Sequence, residues 1–355
     1  MRRFAFISIA ALTGLAAFGA FHSFSASGQT GPATARPTPT PTPLPIKEEE
    51  GIIRVETELV NLNVRVVDRN GRPVTGVQRK EFTVFEDSVP QRIEFFSVSE
   101  VPTNYGIVID NSGSLRQQLE KVIEAAKILV NANRPADETM LIRFVSRDKI
   151  SIEQDFTSNR TDLNDSLDNL FIEGGQTAII DAVYLAAEKV TEYKKDLDKT
   201  ERKRRALVII SDGEDRDSYY NETQLFEMLR ESDVQIYAIG FVNELSKESG
   251  FISKSPRGKA KALLERMATE TGGKYYFPNS TAELADIAKE IGAELRLQYS
   301  IGYIPSNDKM DGTYRNIKVS IADGPDRQKR IAITKAGRVA EPEKPIPSKV
   351  SSTNP

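Results

Sequence analysis

The chain has 355 residues, a net charge of −3, one histidine and no cysteine or tryptophan. This length allows about two domains, and the near-neutral charge argues against a nucleic-acid-binding surface, which would need clustered lysine and arginine. Because the one imidazole, His22, lies in a segment that we expect to be removed, the composition excludes Ser-His-Asp triads, cysteine nucleophiles and zinc held by Cys or His.

Residues 1–27 match the pattern of a secretory signal peptide. Arg2 and Arg3 precede an apolar run at residues 4–21, and small residues follow that run. The alternative is an uncleaved N-terminal membrane anchor, because an apolar run of about 18 residues can just span a bilayer. We therefore expect an extracytoplasmic protein (periplasmic, cell-surface or secreted) that has no membrane span once the signal is cleaved.

Two further segments have the composition of disordered chain. Residues 28–51 carry proline at alternate positions between Pro37 and Pro45, which blocks helix and sheet and favours an extended linker. Residues 339–355 are rich in proline, serine and lysine, which predicts a disordered tail. We therefore expect the folded part of the chain between residues 52 and 338.

Two stretches of alternating polar and apolar residues flank the middle of the chain. Residues 52–102 predict about four strands with hairpin turns, and residues 293–338 predict about three more. Seven strands is the usual size of an immunoglobulin-like sandwich, so one interpretation is a single β region interrupted by an insertion. Two separate small sheets would leave the same pattern in the sequence.

Residues 103–292 alternate short apolar runs with amphipathic stretches. The runs at 105–109, 140–145, 206–210 and 234–241 are β-branched, as in buried parallel strands. Helices are predicted from Leu115 to Leu129 and at 178–192, 222–231, 259–271 and 282–295, and the charge-dense segment 194–205 is predicted to be a solvated helix end and loop. The expected fold is α/β, with a doubly wound, mostly parallel sheet inserted in or flanked by a β-sandwich-like region.

Polar loops follow two buried strands of this predicted sheet, and a third polar loop between them leads into the helix predicted at 178–192. Their sequences are DNSGS at 110–114, GGQT at 174–177 and SDGED at 211–215. Ligands of doubly wound sheets bind at the carboxyl ends of the strands, so we expect these loops to meet at one edge. Together they offer two carboxylates and three hydroxyls, an oxygen-only set that suits Mg²⁺, with Mn²⁺ and Ca²⁺ as alternatives.

Each loop also has an ordinary structural explanation. Ser112 or Ser114 could cap a helix, Asp110 could turn the chain after a strand, and Thr177 is a reasonable helix N-cap. Asp212 and the glycine after it form a common turn dipeptide. The order of the three loops, each in the required strand or helix context, favours a ligand site over coincidence.

At these residues the chain resembles a von Willebrand factor type A (VWA) domain with a metal-ion-dependent adhesion site (MIDAS). The resemblance implies a Rossmann-like fold and a metal site whose ligands are Asp110, Ser112, Ser114, Thr177 and Asp212. It also implies that the metal leaves a coordination position for an Asp or Glu side chain of a protein partner. The flanking stretches 66–96 and 295–307 resemble the von Willebrand-related proteins common in Acidobacteria.

The function expected from these observations is an exported, non-enzymatic, divalent-cation-dependent adhesion or protein-binding module. An alternative is a structural scaffold of the bacterial cell envelope whose metal site is weak or vestigial. A Mg²⁺-dependent hydrolase is a third candidate, but the chain outside the signal offers no histidine base and no nucleotide-binding motif. No nucleic-acid partner is expected.

Overall fold

The computed structural model describes residues 59–98, 101–193, 203–245 and 255–340, so the expected signal peptide and linker lie outside the described residues. The strands are, in chain order, β1 (Val60–Asp68), β2 (Phe82–Glu86), β3 (Val89–Gln91), β4 (Ile93–Ser97), β5 (Thr103–Asp110), β6 (Glu138–Phe144), β7 (Ile150–Thr157), β8 (Arg204–Ser211), β9 (Val234–Gly240), β10 (Lys274–Tyr276), β11 (Tyr299–Tyr303), β12 (Tyr314–Ile321), β13 (Arg330–Ile333) and β14 (Gly337–Val339). The α-helices are α1 (Leu119–Asn131), α2 (Arg160–Asp168), α3 (Ile179–Glu192), α4 (Glu222–Glu231), α5 (Pro256–Glu270) and α6 (Leu284–Glu294).

Short apolar strands form a six-stranded central sheet in the order β10-β9-β8-β5-β6-β7. All its pairings are parallel except that of β6 with β7. Alternate side chains of β5 enter opposite cores, with Tyr105 and Ile107 packed beneath α1, α2 and α6, and Val108 packed beneath α3, α4 and α5. A strand buried on both faces is apolar along most of its length, and this arrangement confirms the doubly wound α/β fold expected from the continuous runs.

Three elements of the central region differ from the expectation. The edge strand β7 was not expected, because exposed Glu153 and Asp155 interrupt its apolar pattern. Helix α2 was missed because only Leu163 and Leu167 bury on the core. Helix α1 begins at Leu119 rather than near Ser114, since a 3₁₀ turn and three further turn residues come first.

The charge-dense segment 194–205 was expected to be solvated, but this prediction is wrong for Arg204 near its C-terminal end. Arg204 begins β8 and is buried, because its guanidinium donates to the carbonyl oxygens of Arg296 at 3.2 Å and Gln298 at 2.9 Å. Those bonds replace the water that a buried guanidinium loses. Residues 194–202 lie outside the described part of the chain.

The flanking strands form two four-stranded antiparallel sheets, ordered β13-β1-β11-β4 and β14-β12-β2-β3. Each sheet combines strands from before and after the central region, and the two share one apolar core. The chain therefore inserts its central α/β region between two halves of a common β region. The eighth strand, β14, was not expected; the predicted tail begins too early, since Val339 ends β14 and Ala340 is buried.

Among the described residues, no helix combines the length and the apolar character that crossing a bilayer requires.

Candidate metal centre

The first loop leaves the end of β5 with its acidic residue fully buried. Asp110 accepts the backbone N–H of Ser112 at 2.8 Å and the hydroxyl of Ser211 at 2.7 Å, one on each carboxylate oxygen. The hydroxyls of Ser112 and Ser114 lie 2.8 Å apart. Ser112 occupies the N-cap position of a 3₁₀ turn, yet its side chain does not cap that turn. The turn role considered for Asp110 is therefore present, whereas the capping role considered for Ser112 is not.

The stretch 171–177, which ends in the second loop, is hydrogen-bonded to the first loop and to the residues that continue the third loop towards α4, and we include those residues in the third loop from here on. Thr177 is buried and lies one residue before Ala178, the N-cap of α3, so the N-cap role considered as an ordinary alternative for this threonine is absent. Its backbone oxygen accepts the N–H groups of Arg216 at 2.7 Å and Asp217 at 3.2 Å in the third loop. On the other side, the Asn111 amide donates to the Phe171 oxygen at 2.7 Å. The three loops consequently form one connected edge of the central sheet.

The third loop places a second buried carboxylate after β8. Asp212 accepts the N–H of Glu214 at 2.9 Å, and Gly213 between them has a φ of +77°, which favours glycine. Ser211 was not among the expected site residues, although its hydroxyl holds Asp110 and accepts the N–H of Gly213 at 3.0 Å. The signal for it was a serine at the last position of a buried strand, directly before an aspartate.

The two buried carboxylates, Asp110 and Asp212, repel one another at this edge. Burial, together with the negative charge of Asp212, raises the pKa of Asp110 to about 6. Within the described part of the chain, no lysine or arginine forms an ion pair with either residue. A cation near Asp110 and Asp212 would offset the repulsion between their negative charges. The electrostatics of this edge therefore favour a positively charged ligand.

The donor chemistry fits a hard divalent cation. Among the described residues, no group of three or more His, Cys, Asp or Glu side chains is placed to hold a metal. The expected ligand set differs from such a group, because it has two acidic side chains, both buried, and three hydroxyls. Two adjacent ligands of an octahedral Mg²⁺ lie about 2.8–3.0 Å apart when each bond is about 2.0–2.1 Å long. The Ser112 and Ser114 oxygens, 2.8 Å apart, are already at that separation.

Exposed aromatic side chains accompany two of the loops. Phe171, whose carbonyl is held by Asn111, is 54% exposed, and the guanidinium of Arg143 lies 4.9 Å from its ring centre. Tyr219, at the far end of the third loop, is 75% exposed. Arg116 is also exposed, two residues beyond Ser114. This edge of the sheet therefore presents aromatic and cationic groups beside the oxygen ligands.

The profile of the family described as von Willebrand factor type A domain matches residues 106–290. Similar solved structures include an aerotolerance-related membrane protein of Bacteroides fragilis, 22% identical with a TM-score of 0.41, covering 54% of this chain and 98% of that one. A von Willebrand factor type A protein of Catenulispora acidiphila is 11% identical with a TM-score of 0.43, and the match covers 80% of this chain and 75% of that one. Proximal thread matrix protein 1 of the mussel byssus, described with a zinc-occupied MIDAS motif, is 17% identical with a TM-score of 0.43. The match covers 55% of this chain and 48% of that one. No curated protein matches the chain.

Proposed function

Because the chain belongs to the von Willebrand factor type A domain family, we propose that it is an exported module that binds a partner protein through a divalent cation. Members of this family often mediate protein interactions, and many bind a divalent metal at a MIDAS. The cation in this chain is Mg²⁺, for which Mn²⁺ and Ca²⁺ are substitutes. The partner contributes an Asp or Glu side chain, and the module performs no catalysis.

One observation carries this proposal, the hydrogen-bonded edge at which the three loops meet. It brings two buried carboxylates and a pair of hydroxyls 2.8 Å apart to the carboxyl ends of neighbouring strands. The residues that hold the cation are Asp110, Ser112, Ser114, Thr177 and Asp212. Hydroxyl ligands are neutral and leave much of the cation's charge unquenched, so the bound cation supplies a strong attraction for an incoming carboxylate.

The surroundings of the site support a protein as the partner. Aromatic side chains and arginine are enriched in protein–protein interfaces, and Phe171 and Arg116 are exposed next to the loops that hold the cation. The exposed guanidinium of Arg116 is suited to an acidic segment around the coordinating carboxylate. The signal pattern at residues 1–27, which lies outside the described residues, supports export.

Thermal unfolding of the full chain tests the proposal, with Mg²⁺, Mn²⁺ or Ca²⁺ compared against EDTA. A ligand that binds only the folded state stabilises it by about 2.7 kcal/mol at a concentration of 100 Kd. We expect this rise in the wild type and in Asp165→Asn, which changes an exposed carboxylate on α2. Asp110→Ala/Asp212→Ala should lose the rise. A wild type that responds to no cation at concentrations well above millimolar would overturn the proposal and leave the envelope scaffold as the better function.

A further inference from the structure

A buried carboxylate outside the ligand set holds the third loop in place. Asp181 lies in the first turn of α3 and is 8% exposed. One of its oxygens accepts the N–H of Tyr219 at 2.7 Å and the other accepts the N–H of Tyr220 at 2.9 Å. Both carboxylate oxygens are therefore satisfied by backbone donors at the far end of the loop that begins at Asp212. Charge-assisted bonds of this kind are about twice as strong as neutral ones.

Ser218 and Asp215 add a second set of bonds between the same two segments. The Ser218 hydroxyl accepts the N–H of Asp181 at 3.1 Å and donates to Asp215 at 2.5 Å. The same Asp215 oxygen accepts the N–H of Ile180 at 3.2 Å. We call Asp181, Ser218 and Asp215 the loop clamp. It fastens residues 215–220 to the beginning of α3.

Asp181 lies between two of the expected cation ligands along the chain, and the other two members of the loop clamp follow the second of these ligands. Thr177 is four residues before Asp181, and its oxygen is bonded to Arg216 and Asp217 in the clamped loop. Asp212 begins that same loop, which contains no regular secondary structure before α4. The Ala178–Asp215 bridge and the bonds to the Thr177 oxygen join the first part of this loop to the residues just before α3. The loop clamp holds the rest of the loop, as far as Tyr220, against the first turn of α3.

We propose that Asp181 is a positioning residue for the cation site. It holds the third loop against the start of α3, so that Thr177 and Asp212 are arranged for the cation before the cation binds. This inference rests on the proposed function, because it states which residue outside the ligand set determines how tightly that same site binds its cation. A ligand shell held in place in advance costs less ordering on binding. Direct hydrogen-bond partners of metal ligands are commonly worth about 10–100-fold in affinity, and Asp181, which acts one contact further out, is expected at the lower end of that range.

Asp181→Asn tests the inference with little change of shape. The amide offers one acceptor oxygen in place of two and turns an NH₂ group towards a backbone N–H. In EDTA, we expect faster amide exchange in a peptide covering residues 213–220, a readout that needs no metal. In a Mn²⁺ titration followed by electron paramagnetic resonance of the free ion, we expect affinity to fall about tenfold or more. Asp165→Asn, exposed on α2, is the matched control for lost charge and should behave as the wild type.

The outcomes separate the inference from the function on which it rests. A wild type that binds no Mn²⁺ overturns the proposed function and the positioning role together. A wild type that binds Mn²⁺ and an Asp181→Asn variant that binds it equally well overturn the positioning role alone, as does unchanged amide exchange. If Asp181→Asn does not fold, Ser218→Ala removes the second set of bonds between the same two segments. Unchanged amide exchange and unchanged Mn²⁺ affinity in that variant would then overturn the positioning role of the loop clamp.

Discussion

Arg65 on β1 and Glu294 at the end of α6 form an ion pair with a nitrogen–oxygen distance of 2.5 Å, and their side chains are 4% and 2% exposed. The Arg65 guanidinium also donates to the backbone oxygens of Gly272 at 3.3 Å and Gly273 at 2.5 Å, just before β10. The pair therefore fastens the β region to the last helix of the inserted α/β region. A charge buried at this depth is tolerated only when it is paired and hydrogen-bonded.

We expect Arg65→Met to lower the free energy of unfolding by up to about 3–5 kcal/mol, because it leaves the buried Glu294 carboxylate with only the more distant ammonium of Lys274, 3.7 Å away. The double variant Arg65→Met/Glu294→Leu should recover a large part of that loss, since it buries no charge. Urea denaturation of both variants measures the difference. Arg92→Met is the control: it breaks the exposed pair with Glu94 and should cost under about 1 kcal/mol. A double variant as unstable as Arg65→Met would contradict the account.

Ser211→Ala removes the hydroxyl that donates to Asp110. We expect it to lower stability in EDTA by about 1–3 kcal/mol, because a buried carboxylate oxygen loses its hydrogen-bond partner. Urea unfolding in EDTA measures this loss. Ser320→Ala, at a half-buried position of β12, is the control and should stay within about 0.5 kcal/mol of the wild type. Equal losses in the two variants would show that the Ser211 bond contributes nothing special.

The raised pKa of Asp110 predicts a pH dependence of stability in EDTA. The folded chain holds a proton on this carboxyl up to about pH 6, whereas an unfolded chain releases it near the ordinary value of 3.8. Because the folded state binds more protons over that window, the contribution of Asp110 to stability falls as pH rises from 4 to 7, by roughly 2–3 kcal/mol. Urea unfolding at several pH values should show this fall in the wild type and its absence in Asp110→Asn. Parallel profiles for the two proteins would refute it.

Gly213, directly after Asp212, is constrained by both its backbone and its neighbours. Its φ is +77°, and an added Cβ would lie 2.7 Å from a methyl carbon of Leu264 and 3.1 Å from the Ala260 oxygen. Gly71 has the same φ of +77° with nothing within 4 Å of an added Cβ, so Gly71→Ala reports the backbone cost alone, about 1–2 kcal/mol. We expect Gly213→Ala to cost more than this in thermal unfolding and also to weaken the cation response. Equal costs for the two substitutions would mean that helix α5 yields to the added carbon.

The sequence by itself determined the central α/β region and the order of its three polar loops. Continuous apolar runs such as the one in β5 occur where both faces of a strand are buried, and the 3.6-residue spacing of α4 gives its bounds directly. These are local signals, because periodicity depends only on the face that each residue presents. The positions of Asp110 at the end of one buried strand and of Asp212 directly after another were readable for the same reason.

Only the tertiary structure decided how the two β stretches combine and which polar residues support the site. Strand β1 pairs with β11 and β13, more than 200 residues later, and no local pattern specifies such a pairing. Arg204 lies in a run of charge yet is buried, because three carbonyl groups distant in sequence accept from it. Asp181 resembles any other helical carboxylate until the third loop brings two backbone donors to it. A buried polar group is stabilised by its partners, and the chain acquires those partners only when distant segments pack together.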